Sequence, residues 1–235
     1  MTSDGSPYFN LRFKKGSTHL FCGPSASGKS QRCCELIRQK DVLIEEGWKI
    51  TNVVLAYQIW QPHYQQLYDE GIVTVLKEGF PTTDEFRELV EAHKENGSIF
   101  ILDDFECELY QPEHAKTLEE IVKVQSRHMN VVTLLLFQSL FPPHKAARQI
   151  SLNVKYIHLL KNPRDNCQFQ YLARQLCGTG NYKYLVQAYQ DATTAPYSCF
   201  LIDLTQECNP LLRFRSHYLP HELPIRVYVP KKRRI

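Results

Sequence analysis

No run of eighteen apolar residues occurs anywhere in the 235-residue chain, so a membrane-crossing helix is not expected. The opening Met1-Thr-Ser-Asp-Gly-Ser-Pro7 lacks both the basic and the apolar stretch of a secretory leader, and the chain is read as soluble and not secreted. Cys-x-x-Cys pairs are missing too. The eight cysteines fall at irregular spacings, several inside apparent strands and helices (Cys22, Cys33, Cys34, Cys199). This disfavours zinc and a disulfide framework and fits buried free thiols in a reducing compartment. There is no internal repeat and no low-complexity tract. A net charge of only +3 neither marks nor rules out a nucleic-acid partner, which needs only a local basic surface. What remains is an ordinary globular composition, 43% hydrophobic and 23% charged, at a length that suits one large α/β domain with a sizeable core.

The stretch that organises the chain is Thr18 to Arg38, THLFCGPSASGKSQRCCELIR. Its centre, Gly23-Pro24-Ser25-Ala26-Ser27-Gly28-Lys29-Ser30, fits the phosphate-binding pattern G-x-x-x-x-G-K-[ST] at every fixed position. The context that gives the pattern meaning is present. His19-Leu-Phe-Cys22 reads as a buried strand leading in. Cys33, Cys34, Leu36 and Ile37 form the apolar stripe of a helix leading out, with Gln31, Arg32, Glu35 and Arg38 expected on its polar side. In such a loop, successive backbone N–H groups at a helix N-terminus make a concave nest for phosphate oxygens. Lys29 would reach the β- and γ-phosphates of ATP, and the Ser30 hydroxyl would hold Mg²⁺.

Thr51 to Tyr57 predicts a second strand, with Tyr57 and Gln61 at its C-terminal end. A short helix through Gln65 and Leu67, a brief strand Ile72–Val75 and a helix opening at Thr83 and ending at Asn96-Gly97 follow. Ser98-Ile-Phe-Ile-Leu-Asp103-Asp104 is the second informative stretch. Four apolar residues running into paired acids describe a central strand delivering carboxylates to its tip, the Walker B logic: Asp103 would hold Mg²⁺ and Asp104 would polarise the attacking water, with Glu106 the alternative base. Helical spacing recurs from Thr117 to Val124. Val131 to Phe137 predicts another strand, ending in Gln138, an amide positioned to bond the γ-phosphate or the attacking water, or simply to cap the strand. The alternation of strand and helix with short connections predicts an α/β fold whose mostly parallel central sheet has helices on both faces. A strand interposed between the loop strand and the acidic strand marks the additional-strand class of P-loop NTPases; that order is expected here, because an acid follows Asp103, a polar residue ends the next strand, and no Asn-Lys-x-Asp guanine motif is present.

These residues carry a resemblance. The chain resembles the viral genome-packaging ATPases of the FtsK/HerA superfamily, the poxvirus-type group also found in adenovirus-like viruses and Maverick/Polinton-type elements. The matching segments are Gly23 to Ser30, Tyr57 with Gln61-Pro62 and Tyr64, Ile101 to Asp104, Ser126-Arg-His128, Phe137 to Phe141, Asn153, and Leu160 to Asp165. Ala173-Arg-Gln175, Asp191 to Thr193, Pro196-Tyr197 and Leu201 to Asp203 extend the match to about residue 205, nearly the whole chain. One departure is Ser198-Cys199, where relatives commonly have glycine. The resemblance implies a RecA/FtsK-like ATPase that translocates double-stranded DNA as a homo-oligomeric ring, a pentamer or hexamer, at a capsid vertex or portal. It implies Gln138 as the sensor glutamine. It also implies an arginine acting on the neighbouring subunit's ATP: Arg127 first, with Arg148 and Arg164 as alternatives, each of which has a solvated or DNA-facing reading. Lys145, Arg148, Lys161 and Arg164 are candidate lumen or interface charges.

Three segments are expected: a lead-in over residues 1–16, the ATPase domain over 17–215, and a C-terminal extension over 216–235 with the basic run Lys231-Lys-Arg-Arg234. That run reads as a nuclear import signal, a phosphate-binding tail or a solvated end; with the family habit it places the protein in a host nucleus, or in a cytoplasmic factory, and transiently at the capsid. Rival functions are a nucleotide-dependent switch or binding module, a small-molecule or nucleoside kinase, and, within the motors, a helicase. No arginine-rich lid segment and no separate unwinding domain is evident.

Overall fold

The computed structural model describes residues 11–45, 47, 49–125, 128–142, 145–164 and 166–230. Among the described residues, nine strands form one sheet in the order β3-β2-β4-β5-β1-β6-β7-β8-β9. The first six are β1 (Thr18–Cys22), β2 (Asn52–Tyr57), β3 (Val75–Glu78), β4 (Ser98–Asp103), β5 (Val131–Phe137) and β6 (Tyr156–Leu160), all parallel to one another. β7 (Cys199–Asp203), β8 (Phe214–Ser216) and β9 (Arg226–Val227) then extend the sheet in antiparallel fashion. β5 lies between the loop strand β1 and the acidic strand β4, so the expected interposed strand is present.

Every residue of β1, β2, β4, β5 and β6 is buried, as strands covered on both faces must be. Successive residues feed opposite layers: Leu20 and Cys22 of β1 join the core on one face, and Phe21 joins the other. Helices α1 (Lys29–Arg38), α2 (Lys40–Leu43) and α3 (Pro62–Asp69) pack with the Phe21 layer. Helices α4 (Thr83–Glu91), α5 (Pro112–Glu120), α6 (Lys145–Asn153) and α7 (Asn166–Ala192) contribute to the Leu20 layer, α7 being broken at Gly178, which has φ 70°.

Several expectations shift. The third strand is Val75–Glu78, not Ile72–Val75, because Thr74 already spends itself on Val53: its hydroxyl accepts the Val53 N–H at 2.9 Å and its own N–H donates to the Val53 carbonyl at 2.8 Å. α4 stops at Glu91, and isolated turns carry the chain to Gly97. The helical spacing from Thr117 resolves into the end of α5 and a π-helical turn, Ile121–Gln125. Arg32 is a clear correction: it lies on the buried side of α1, 5% exposed, and pairs with Glu222 at 2.7 Å. Among the described residues of the two end segments, Phe13 is buried and its backbone bonds to Leu43 and Glu45, Ser216 ends β8, and Arg226–Val227 form β9. The basic run Lys231–Arg234 lies outside the described residues. All eight cysteines are free, and Cys22, Cys33, Cys34 and Cys199 are buried. Among the described residues no helix is long and apolar enough to cross a membrane.

Candidate functional site

The sheet register sets the site. Asp103, the last residue of β4, is the partner of Tyr57 on β2 and Leu136 on β5, while Cys22 of β1 is level with Phe137. The carboxyl tips of β1, β4 and β5 therefore deliver Gly23, Asp103-Asp104 and Gln138 to one edge, the edge at which open α/β sheets bind ligands.

Residues 23–28 turn from β1 into α1. Ala26 and Gly28 take positive φ, 61° and 98°, which turns the loop's backbone into the concave form that suits an anion. Gly23 has no room for a side chain, since a Cβ there would lie 2.6 Å from Ser27 Oγ and 3.0 Å from Leu160 Cβ. The α1 N-terminus has no side-chain cap and no acid in its first turn, whereas α4 carries a complete capping box between Thr82 and Glu85. Its first N–H groups thus retain their attraction for an external anion. Ser27 Oγ is buried in the loop without a hydrogen-bond partner, a polar atom that a phosphate oxygen would satisfy. Lys29 Nζ donates to the carbonyls of Gly23 at 2.7 Å and Pro24 at 3.0 Å, and burial holds its pKa below the usual lysine range.

Across the edge, one carboxylate oxygen of Asp103 accepts from two hydroxyls, Ser30 Oγ at 3.1 Å and Tyr64 Oη at 2.8 Å. Burial nonetheless raises the Asp103 pKa, against the effect of those bonds. A buried carboxylate beside a serine hydroxyl and the loop fits a hard divalent cation, whose charge would offset that desolvation. Asp104, next along, is exposed and has φ 64°, a conformation costly for a residue with a side chain. Gln138 Nε2 donates to Asp104 Oδ1 at 3.2 Å. Glu106 is half withdrawn: its carboxylate accepts the backbone N–H groups of Gln138 at 2.6 Å and Ser139 at 3.1 Å, and burial raises its pKa. Glu106 thereby fixes the loop after β5, and the exposed acid at the strand tip is Asp104.

Arg127 lies outside the described residues, as do Ser126 and Asp165. Arg148 is exposed on α6 and Arg164 is exposed beyond the tip of β6; the Lys145 side chain lies outside the described set. Residues that the sequence reading gave no role also meet here. Tyr64 entered only through a resemblance, and its bond to Asp103 spans 39 positions. Gln168 on α7 accepts the N–H groups of Leu140 at 2.8 Å and Phe141 at 3.2 Å, securing the far side of the Gln138 loop. A larger cavity of about 730 Å³, lined by Lys14, Glu45, Asp203 and Glu207 among others, opens at the opposite, amino-terminal edge of the parallel strands, away from the loop and the acids.

No family model and no curated protein sequence matches the chain. Solved structures do. The genome packaging NTPase B204 from Sulfolobus turreted icosahedral virus 2, in complex with sulfate, is 13% identical, covers 92% of this chain and 97% of its own, and superposes with a TM-score of 0.51. B204, the DNA-packaging ATPase from Sulfolobus turreted icosahedral virus, is 11% identical over 92% of this chain and 98% of its own, with a TM-score of 0.52. The cytoplasmic domain of the Thermomonospora curvata type VII secretion ATPase EccC is 16% identical over 85% of this chain and 25% of its own, with a TM-score of 0.53. At such identities the likeness concerns the fold: this chain has the α/β fold of these ATPases, with a mostly parallel sheet and helices on both faces.

Proposed function

We propose that the protein is a Mg²⁺-dependent ATPase that drives double-stranded DNA into a virus capsid, working as a homo-oligomeric ring at a capsid vertex or portal. The observation that carries this reading is the convergence of the phosphate loop, Asp103, Asp104 and Gln138 at one sheet edge with β5 interposed between β1 and β4. Support comes from a likeness covering nearly the full length of packaging NTPases of similar size.

The loop from Gly23 through Ser30 would bind the phosphates with its backbone N–H groups, and Lys29 would leave the Gly23 and Pro24 carbonyls for the β- and γ-phosphate oxygens. Ser30 and Asp103 would hold Mg²⁺, which when bound neutralises charge on the transferring phosphoryl group. Asp104 would orient the attacking water and accept its proton, steadied by Gln138, whose amide would also read the γ-phosphate. Arg127, Arg148 or Arg164 would reach the neighbour's nucleotide, and the basic C-terminal run would serve nuclear import. DNA binding through phosphate contacts would be sensitive to salt and tolerant of sequence.

The test is steady-state ATP hydrolysis with and without linear double-stranded DNA, with Lys29→Ala and Asp104→Asn as controls. Stimulation by DNA that both variants abolish, rising cooperatively with protein concentration, is the expected result. Hydrolysis indifferent to DNA would refute the motor and leave a nucleotide-dependent switch or a kinase.

A further inference from the structure

Tyr197 stands out among the exposed aromatic residues because its backbone is held in place while its ring is left open. It is 57% exposed, yet its backbone has φ 61°, a conformation that a ring-bearing residue adopts at a cost. Two contacts maintain it. The buried guanidinium of Arg32, paired with Glu222, donates from Nη2 to the Tyr197 carbonyl at 2.9 Å. The turn is closed from the other side by Ser198, whose N–H and hydroxyl donate to the Ala195 carbonyl at 3.3 and 2.6 Å. The ring itself lies against the phosphate loop: a Cβ on Gly28 would sit 2.9 Å from Tyr197 Cδ1.

The topology says which end of a bound nucleotide this ring would meet. β4 and β5, carrying Asp103, Asp104 and Gln138, lie on one side of β1; β6 and β7 lie on the other. β7 runs antiparallel to β6, with Cys199 paired to Leu160, so the turn before β7 rises at the same edge as the loop. A triphosphate seated with its γ-phosphate toward the acids must direct its sugar and base toward the β6–β7 side. That side presents the exposed ring of Tyr197, flanked by Leu160, whose Cδ2 would lie 3.5 Å from the same Gly28 Cβ. We propose that Tyr197 is the platform on which the nucleobase of the bound nucleotide stacks, held there by Arg32. This rests on the nucleotide-binding reading given above, and it adds the base subsite to it.

The experiment compares ATP with inorganic tripolyphosphate, which fills the phosphate loop and carries no base, by isothermal titration calorimetry on the full chain with Mg²⁺. The wild-type protein should bind ATP roughly tenfold or more tighter than tripolyphosphate, within the range of base–aromatic stacking. Tyr197→Gly, which removes the ring and suits the positive φ, should lose that margin while keeping its tripolyphosphate affinity, and Tyr197→Phe should keep both. A second measurement uses the wild-type protein alone: nitration by tetranitromethane, mapped by mass spectrometry, should be slowed at Tyr197 by ATP but not by tripolyphosphate, and unchanged at the exposed Tyr110 and Tyr171. Wild-type protein that binds neither compound would overturn the nucleotide reading and this inference with it. ATP binding that Tyr197→Gly leaves intact, or nitration of Tyr197 that ATP leaves unchanged, would overturn the base platform alone.

Discussion

Two histidines fully buried beneath the site should make the fold sensitive to mild acid. Ser17 Oγ spends its proton on the Lys14 carbonyl at 2.5 Å, so His19 Nε2–H must donate to Ser17 Oγ at 3.0 Å. His19 Nδ1 then accepts from His158 Nε2–H at 3.0 Å, and His158 Nδ1 accepts from the Tyr218 hydroxyl at 2.8 Å. Each imidazole has one donor and one acceptor role, both filled, among Phe13, Phe21 and Tyr156 rings. A proton added to His19 Nδ1 would set donor against donor, and a charge on either ring would lie desolvated in an apolar layer. Burial accordingly lowers the His19 pKa to about 3 and pushes that of His158 well below the ordinary value. Because the folded pKa values are depressed, the unfolded chain binds more protons below pH 6.5, and stability falls as pH falls through the window from about 6.5 toward 3. Each histidine contributes a slope of about 1.4 kcal/mol per pH unit there, so the pair should cost roughly 4 kcal/mol between pH 7.5 and pH 5. That is a large share of a typical folding free energy. Asp103 and Glu106, whose pKa values are raised, act with the opposite sign, gaining stability as pH falls. The assay is therefore urea unfolding at intervals from pH 7.5 to 5 on the wild type and on the His19→Phe/His158→Phe double variant, in which those carboxylates are unchanged. A shallower slope in the variant is expected. Equal slopes would refute the assignment of two buried neutral imidazoles.

Tyr64→Phe removes one of the two hydroxyls on Asp103; the half-activating Mg²⁺ concentration for ATP hydrolysis should rise about tenfold, the size of one charge-assisted hydrogen bond, and an unchanged magnesium titration would show that Tyr64 does not position the carboxylate. Gly23→Ala places a methyl 2.6 Å from Ser27 Oγ and 3.0 Å from Leu160 Cβ, so hydrolysis should fall at least tenfold while the circular-dichroism melting curve shifts little. Arg215→Met strands the buried Asp203 carboxylate, now paired at 3.1 Å, and should cost about 3–5 kcal/mol, read as a melting-temperature drop on the order of 10 °C.

The parts of this molecule that the sequence disclosed are those encoded locally. Strands buried on both faces read as unbroken apolar runs, and the loop has its glycines and lysine at fixed spacing, so β1, β2, β4, β5 and the residues at their tips were all legible, while the interposed position of β5 was inferred from the acids and the amide at those tips. What escaped was set by partners far along the chain. Arg32 sits on the polar side of a helical-wheel reading, yet Glu222 and the Tyr197 carbonyl draw it inward, and the Tyr218 ring 5.7 Å away covers it. The buried pair of His19 and His158 depends on the parallel neighbouring of β1 and β6, strands whose members are 139 positions apart. The antiparallel extension from β7 to β9 has short strands without a distinctive pattern, and α7 carries its buried residues in two segments, Phe169, Leu172 and Ala173 before Gly178 and Leu185, Ala188, Tyr189 and Ala192 after it, which the break separates.

The same sheet order divides the edge into two kinds of support. On the side of β1 facing β5 and β4, three parallel strands end level with one another, and the groups there are fixed by backbone: Glu106 holds the N–H groups of Gln138 and Ser139, Gln168 holds those of Leu140 and Phe141, and Gln138 meets Asp104. Phosphoryl transfer needs charges placed to within a few tenths of an ångström, which in-register strand tips supply. On the other side the parallel pattern stops at β6, and an antiparallel return brings a turn to the edge instead of a strand tip. A turn fixes a flat ring as readily as a charge, and stacking tolerates sliding that proton transfer does not. Arg32 joins the two sides, since it leaves the helix that begins at Lys29 and grips the turn that carries Tyr197. Arg32 thus ties α1 to the β7 turn through the Tyr197 carbonyl and, through its buried ion pair with Glu222, to the segment leading into β9.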